Sequence, residues 1–140
     1  MYKKYFKRLF DIIFSLILIL ILFPIMVLIF FLVWTFIGFP IFIQKRPGLK
    51  NEIFTLYKFK TLYDASRHIS ETKRQNVLGN FLRKTGLDEL PQLFNILLNN
   101  MSFIGPRPLL VEYLKKYNNY EQKRHSVKPG ITGLAQINPE

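Results

Sequence analysis

Residues 12–37 are apolar at every position except Ser15, Pro24 and Thr35. At roughly −0.3 to −0.6 kcal/mol per central Leu, Ile, Phe or Val, the run sums to about −10 kcal/mol for insertion, so it predicts a membrane segment. It is too long for the core of a signal peptide, and no small-residue cleavage site follows it. Pro24 lies near its middle, where it removes a helical hydrogen bond and predicts a bend. Each arm then has about twelve residues and reaches about 18 to 20 Å, short of a hydrocarbon core of roughly 30 Å. Lys3, Lys4, Lys7 and Arg8 precede the run and Lys45, Arg46 and Lys50 follow it. The positive-inside rule therefore draws both ends to one face, and a re-entrant helix kinked at Pro24 competes with a tilted span, which tolerates proline.

From Pro40 the period changes. Ile41-Phe42-Ile43, a Pro47-Gly48 turn and an alternating stretch at 53–59 predict a small hairpin beside the membrane. Its end places Lys58 and Lys60 on one strand face and Phe59 on the other, which fits a solvated basic edge as well as an anion site. Residues 64–76 are polar without apolar period and predict a loop or a solvated helix. His68, within them, has no ligand partners in the sequence. Leu78, Phe81 and Leu82 mark a helix ended by Gly86. Leu90, Leu93, Phe94, Leu97 and Leu98 mark another, expected to start at Asp88 as N-cap with Pro91 in its first turn. Residues 109–124 show a further amphipathic pattern suited to an anionic membrane surface or to packing with a solvated basic face. Gly130 and Gly133 would let backbone N–H groups approach a phosphate, a weak signal at this spacing.

Composition narrows the chemistry. Of 140 residues, 20 are Lys or Arg and 9 are Asp or Glu, a formal net charge of +11 that suits a polyanionic partner. There is no cysteine, which excludes disulfides, thiolate metal sites and a Cys nucleophile, and two histidines are too few for most His-based zinc sites. A nucleic-acid binder has only the charge in its favour, with no stacking motif or recognition helix.

The densest chemistry lies at 83–108. Asp88 and Glu89 are explained as a cap and a first-turn acid, and Arg83 as a last-turn cation. Arg107 is held extended between Pro106 and Pro108, and a stiff arginine points to a fixed anion. Two acids among arginines and lysines also suit phosphoryl chemistry, one carboxylate attacking phosphorus and the other holding Mg²⁺.

The motifs KRLFD with Ser15 and Pro24, QKRPG at 44–48, LYKFKT at 56–61, FLRKTGLDELPQLFN at 81–95, MSFIGPRPLLVEY at 101–113 and RHSVKPGITGLAQIN at 124–138 occur in order along nearly the whole chain. In them the sequence resembles the monotopic polyprenyl-phosphate phosphoglycosyl transferases, or bacterial sugar transferases. The resemblance implies an α+β, predominantly helical monotopic membrane protein. Residues 1–39 would form the re-entrant helix kinked at Pro24, and residues 40–140 a cytoplasmic catalytic domain with a small β-hairpin and amphipathic surface helices, on the bacterial inner membrane. It implies that a UDP-sugar is attacked by Asp88 at the sugar-linked phosphorus, releasing UMP, and that polyprenyl (undecaprenyl) phosphate then accepts the sugar phosphate. This step would initiate glycoconjugate synthesis. Asp88 and Glu89 would be catalytic and would bind Mg²⁺, Arg83 and Arg107 would bind phosphates, and Lys58 and Lys60 are further candidates. Nucleic acid is not an expected partner.

Three departures from the family pattern stand out. Phe23 replaces the usual serine before the kink proline, which removes a hydroxyl able to satisfy a freed carbonyl. Asn100 replaces an acid. After QIN the family pattern continues with a Gly-Arg pair and several dozen residues, whereas this sequence reads Asn138-Pro139-Glu140, so an inactive shortened chain or a membrane-anchored interaction subunit is the alternative expectation.

Overall fold

The structure is a computed structural model that describes residues 2–65 and 70–133, with side chains from residue 5 onward. His68, the side chains of Lys3 and Lys4, and the Gln-Ile-Asn end of the last motif lie outside the described residues. The architecture is α+β.

Helix α1 (Tyr2–Phe36) is a single helix with Pro24 inside it. Within residues 5–36 an 18-residue stretch reaches a mean hydropathy of 3.5, and the helix is long and apolar enough to cross a membrane. Most of its large side chains are exposed, among them Leu20, Ile21, Phe23 and Leu28. One stripe is buried instead. Met26, Ile29, Val33 and Ile37 recur at helical spacing and pack with Phe59 and Leu82, while Leu18 and Ile19 pack on a second cluster of Phe54, Leu56, Leu93, Ile96 and Met101. The first turns of the helix are bound to the same body. Arg8 donates from both terminal nitrogens to the carbonyls of Ile96 (2.5 Å) and Leu97 (2.9 Å), and buried Asp11 accepts from the Phe103 N–H at 3.4 Å.

Strands β1 (Ile41–Pro47) and β2 (Ile53–Phe59) pair antiparallel from Ile41 with Phe59 to Pro47 with Ile53. The hairpin is the expected one, but its turn comes later than expected. Pro47 is still paired, and the chain reverses over residues 48–52, with Lys50 and Asn51 at positive φ. Within 64–76 the described residues include a 3-10 turn, Glu71–Arg74, and a bridge from Leu62 to Gln75.

Helix α2 (Val77–Thr85) is capped by Asn76, whose side-chain oxygen accepts from the Gly79 N–H, and it ends at Gly86 at φ 73°. Helix α3 (Gln92–Leu97) follows. It lies along the free edge of β2, where the fully buried Asn95 substitutes for a third strand. Its oxygen accepts from the Tyr57 N–H at 3.1 Å and its amide donates to the Thr55 carbonyl at 2.7 Å. Arg8 satisfies carbonyls at the other end of α3, which a helix of this length leaves open.

Strands β3 (Ser102–Ile104) and β4 (Gly130–Thr132) pair in parallel. Between them the amphipathic pattern of 109–124 does not form the expected single helix. It forms two 3-10 turns, Val111–Lys115 and Glu121–Ser126. The break is at Asn118, whose side chain accepts from the N–H groups of Tyr120 and Glu121 while its own N–H donates to the Glu121 carboxylate. This reciprocal arrangement starts a new turn in place of continuing the old one.

Replacing Asn95 with Ala leaves one donor and one acceptor of β2 unpaired in the core, a cost of about 3 kcal/mol. We expect a corresponding drop in the midpoint of denaturant unfolding in micelles, with Asn95→Ala far more damaging than Asn99→Ala.

Candidate active site

The acids stand where α2 turns into α3. Gly86, left-handed, reverses the chain, and residues Leu87–Glu89 make one 3-10 turn. Helix α3 starts at Gln92, not at Asp88, and Asp88 makes no capping bond. The reason is Pro91. It has no N–H to offer the Leu87 carbonyl, which takes the shorter-range bond from Leu90 at 3.4 Å instead. The Asp88 carboxylate is thereby free of the capping role that would otherwise account for it.

Glu89 is the centre of a charge cluster. Its Oε1 lies 2.8 Å from Lys58 Nζ and 3.7 Å from Arg107 Nη2. Lys58 comes from β2 and Arg107 from the segment after β3, so three separate parts of the chain meet there. Asp88 is buried, with 7% of its surface exposed. Burial raises its pKa above the ordinary carboxylate value, and the Glu89 charge adds to the rise. Lys58, the backbone N–H of Asp88 and Arg83 pull in the opposite direction.

Arg107 is positioned by a close backbone approach. A Cβ on Gly130 would lie 2.1 Å from the Gly105 nitrogen, so only glycine allows the two segments to meet. The Gly130 N–H donates to the Pro106 carbonyl at 3.1 Å and the Gly105 N–H to Thr132 at 3.0 Å. The Gly130 N–H expected to face a phosphate is therefore spent on holding the Pro106-Arg107-Pro108 segment.

Arg46, in the QKRPG motif, reads in the sequence only as one of the charges that orient the membrane segment. It lines one small pocket with Lys58, Glu89, Gln92 and Arg107. Its Nη1 donates to the Pro108 carbonyl (3.2 Å) and its Nη2 to Gln44 (2.6 Å), while its Nε is buried without a partner. Burial first, and Arg107 second, lower its pKa. The available signal was the shared Arg-Pro pair, Arg46-Pro47 and Arg107-Pro108.

The other two cations lie apart from this cluster. Arg83 is exposed and donates to Asn80 at 2.5 Å, and it reaches Asp88 only through its field. Lys60 pairs with Asp64. For a metal, the described residues hold no group of three or more His, Cys, Asp or Glu side chains. Asp88 and Glu89 still fit Mg²⁺, which is commonly held by one or two carboxylates together with substrate phosphates.

A buried carboxylate beside clustered cations on a membrane-associated α+β body defines a candidate phosphoryl-transfer site. The chain belongs to the bacterial sugar transferase family, whose model matches residues 2–140. It is 49% identical over 107 residues to the uncharacterized sugar transferase EpsL of Bacillus subtilis (strain 168), covering 73% of this chain and 53% of that protein. It is 45% identical over 107 residues to the UDP-glucose:undecaprenyl-phosphate glucose-1-phosphate transferase of Klebsiella pneumoniae, covering 70% of this chain and 23% of that one. A UDP-N-acetylgalactosamine-undecaprenyl-phosphate N-acetylgalactosaminephosphotransferase of Aeromonas hydrophila is 36% identical over 106 residues, covering 69% and 25%. The chain thus spans about half the length of the first of these relatives and about a quarter of the other two.

Because the folded-state pKa of Asp88 is raised, the folded protein holds that proton more tightly than the unfolded chain. Its ionisation costs stability above the folded pKa, and that cost vanishes below the unfolded one. Asp88→Asn is therefore expected to melt at a higher temperature than wild type at neutral pH, with the gap closing as the pH falls through the raised pKa. Melting curves of both proteins between pH 4 and 8 test this.

Proposed function

We propose that this protein transfers a sugar 1-phosphate from a UDP-sugar to polyprenyl phosphate, releasing UMP and initiating assembly of a glycoconjugate. The observation that supports it most is the buried Asp88, relieved of any capping role, beside the Glu89, Lys58 and Arg107 cluster. The Klebsiella and Aeromonas relatives carry names of this reaction with different sugars, so the reaction class and not the sugar comes across.

In the first step an Asp88 carboxylate oxygen attacks the sugar-linked phosphorus. The bond from that phosphorus to the bridging oxygen breaks, and UMP leaves with the electron pair. In the second, a phosphate oxygen of the polyprenyl phosphate attacks the same phosphorus, the acyl phosphate bond breaks, and the Asp88 carboxylate is regenerated with a lipid-linked diphosphosugar as product. Burial serves the nucleophile, since a desolvated carboxylate is held near the phosphorus without competing water. Arg107, Arg46 and Lys58 supply positive charge to the phosphate oxygens, the two arginines through planar forks of N–H donors. Glu89 keeps Lys58 and Arg107 in place before the nucleotide arrives. Asp88 and Glu89 would hold Mg²⁺ together with the substrate phosphates, and the ion would neutralise charge on those oxygens. Arg83 and Lys60 are assigned outer roles, Arg83 through its field at Asp88.

The packing of α1 supports a monotopic reading. Arg8 near its start and Val33 and Ile37 at its end all contact the body that carries the acids. A helix crossing the bilayer would carry one of those ends to the far side. Both ends on one body support a reading in which α1 lies in the same leaflet as the catalytic part, and a UDP-sugar donor assigns that part to the cytoplasmic face of the bacterial inner membrane.

With the purified protein, Mg²⁺, undecaprenyl phosphate and a panel of UDP-sugars, at least one sugar is expected to give UMP. Asp88→Asn should lower that release by at least a thousandfold, roughly the loss of a covalent nucleophile, while the variant remains in the membrane fraction. Turnover by Asp88→Asn at the wild-type rate would overturn the mechanism. Arg46→Gln should reduce UMP release about a hundredfold, as expected when one charge-assisted contact to a reacting group is lost, whereas Lys60→Gln should change it less than threefold, consistent with the placement of Lys60 beside Asp64.

A further inference from the structure

Of the polar side chains that line the charged pocket, Gln92 is the one with neither a hydrogen bond nor an ion pair among the described residues. It is only 3% exposed. Buried amides are ordinarily satisfied, because an unpaired one destabilises the fold. The next turn of α3 obeys that rule. Asn95, three residues on and on the same face, is bonded to β2 from both ends of its amide. Gln92 shares the burial of Asn95 without its bonds.

What Gln92 borders instead is a cavity of about 20 Å³, shared with Arg46, Lys58, Glu89 and Arg107. That volume holds one water-sized group. A whole phosphate does not fit, but one of its oxygens does. The cations around the cavity are already engaged. Lys58 and Arg107 face Glu89, and Arg46 donates from Nη1 and Nη2 to Pro108 and Gln44. The Arg46 Nε is buried without a partner, so the residues around this one cavity leave two donor groups unsatisfied. A further cation here would be repelled by the two arginines, whose fields already overlap. A neutral amide adds a donor without adding charge.

We propose that Gln92 is a catalytic residue, its Nε2 donating to one non-bridging oxygen of the phosphorus that Asp88 attacks, with that oxygen seated in the small cavity beside Arg46. The inference rests on the transferase reading above and adds to the cations a neutral donor at the reacting group. No bond within the protein has to break before Gln92 makes this contact, whereas Lys58 must be shared with Glu89. A donor held in place by burial and left unpaired in the free protein is preorganised, so it acts on the reacting phosphoryl group without a cost of reorganisation. The burial that leaves the amide unsatisfied in the free protein is offset when the oxygen arrives.

Gln92→Met keeps the length of the side chain and removes the donor. In nanodiscs it is expected to lower kcat for UMP release about a hundredfold, the usual loss of one donor at a reacting oxygen, with the KM for the UDP-sugar changed less than about threefold. Melting temperature separates this role from a structural one. An amide with no partner in the free protein contributes nothing that Met lacks, so Gln92→Met should melt at or above the wild-type temperature. Inorganic phosphate, titrated against each protein by 31P line broadening, reports the contact without turnover. The variant should bind it about tenfold more weakly, the loss of one hydrogen bond to a charged group. A kcat within about threefold of wild type, a lowered melting temperature or an equal phosphate affinity each overturns the role of Gln92 and leaves the transferase reading standing. Absence of UMP release from the wild type with every UDP-sugar overturns the transferase reading instead, and phosphate affinity and melting temperature then decide whether Gln92 contacts a phosphoryl oxygen.

Discussion

Asn95 is the contact on which the arrangement of this protein depends. A two-stranded hairpin is marginal by itself, and β2 would present an unpaired edge to the core. One buried side chain pairs that edge in both directions, to Tyr57 and Thr55, and in doing so fixes α3 against the strand at a single register. Lys58 follows Tyr57, and Glu89 lies three residues before Gln92, where α3 starts. The ion pair between them is therefore a consequence of where Asn95 docks.

Charge is arranged with the same economy. The chain is strongly basic, yet the cations at the site are few and each has a defined support. Arg107 is held between prolines by the Gly105 and Gly130 contact, Arg46 by the carbonyl of Pro108, and Lys58 by Glu89. Arg8, counted in the sequence only as a topogenic charge, instead satisfies the C-terminal carbonyls of α3. It ties the start of the membrane helix to the far end of the short helix that begins beside the acids. Basic residues of this kind are structural at one site and electrostatic at another, and net charge does not distinguish them.

Local patterns in the sequence carried the long apolar helix, the hairpin and the ending of α2 at Gly86, because each is determined within a few residues by run length, alternation or a glycine that turns left-handed. The start of α3 did not follow from helical spacing, since the missing N–H of Pro91 delays it and leaves the acids in a separate tight turn. Residues 109–124 have helical spacing but are cut by Asn118, whose side chain competes for backbone N–H groups. The clustering of Glu89, Lys58 and Arg107 joins residues about twenty to fifty apart, and only tertiary docking creates it. Arg46 was hidden for a related reason, since a strand arginine in a basic segment looks solvated until Pro108 is seen against it.

The parallel pairing of residues 102–104 with 130–132 also imposes an order of assembly. A chain emerging from the ribosome completes its membrane helix, its hairpin and its acids well before Gly130 exists. Until then the Pro106-Arg107-Pro108 segment lacks its hydrogen bond from the Gly130 N–H and has side-chain contacts such as those of Arg46 and Glu89 to hold it. The nascent protein can thus settle on the membrane before its site is finished, with the arrival of one glycine marking the moment at which the site closes.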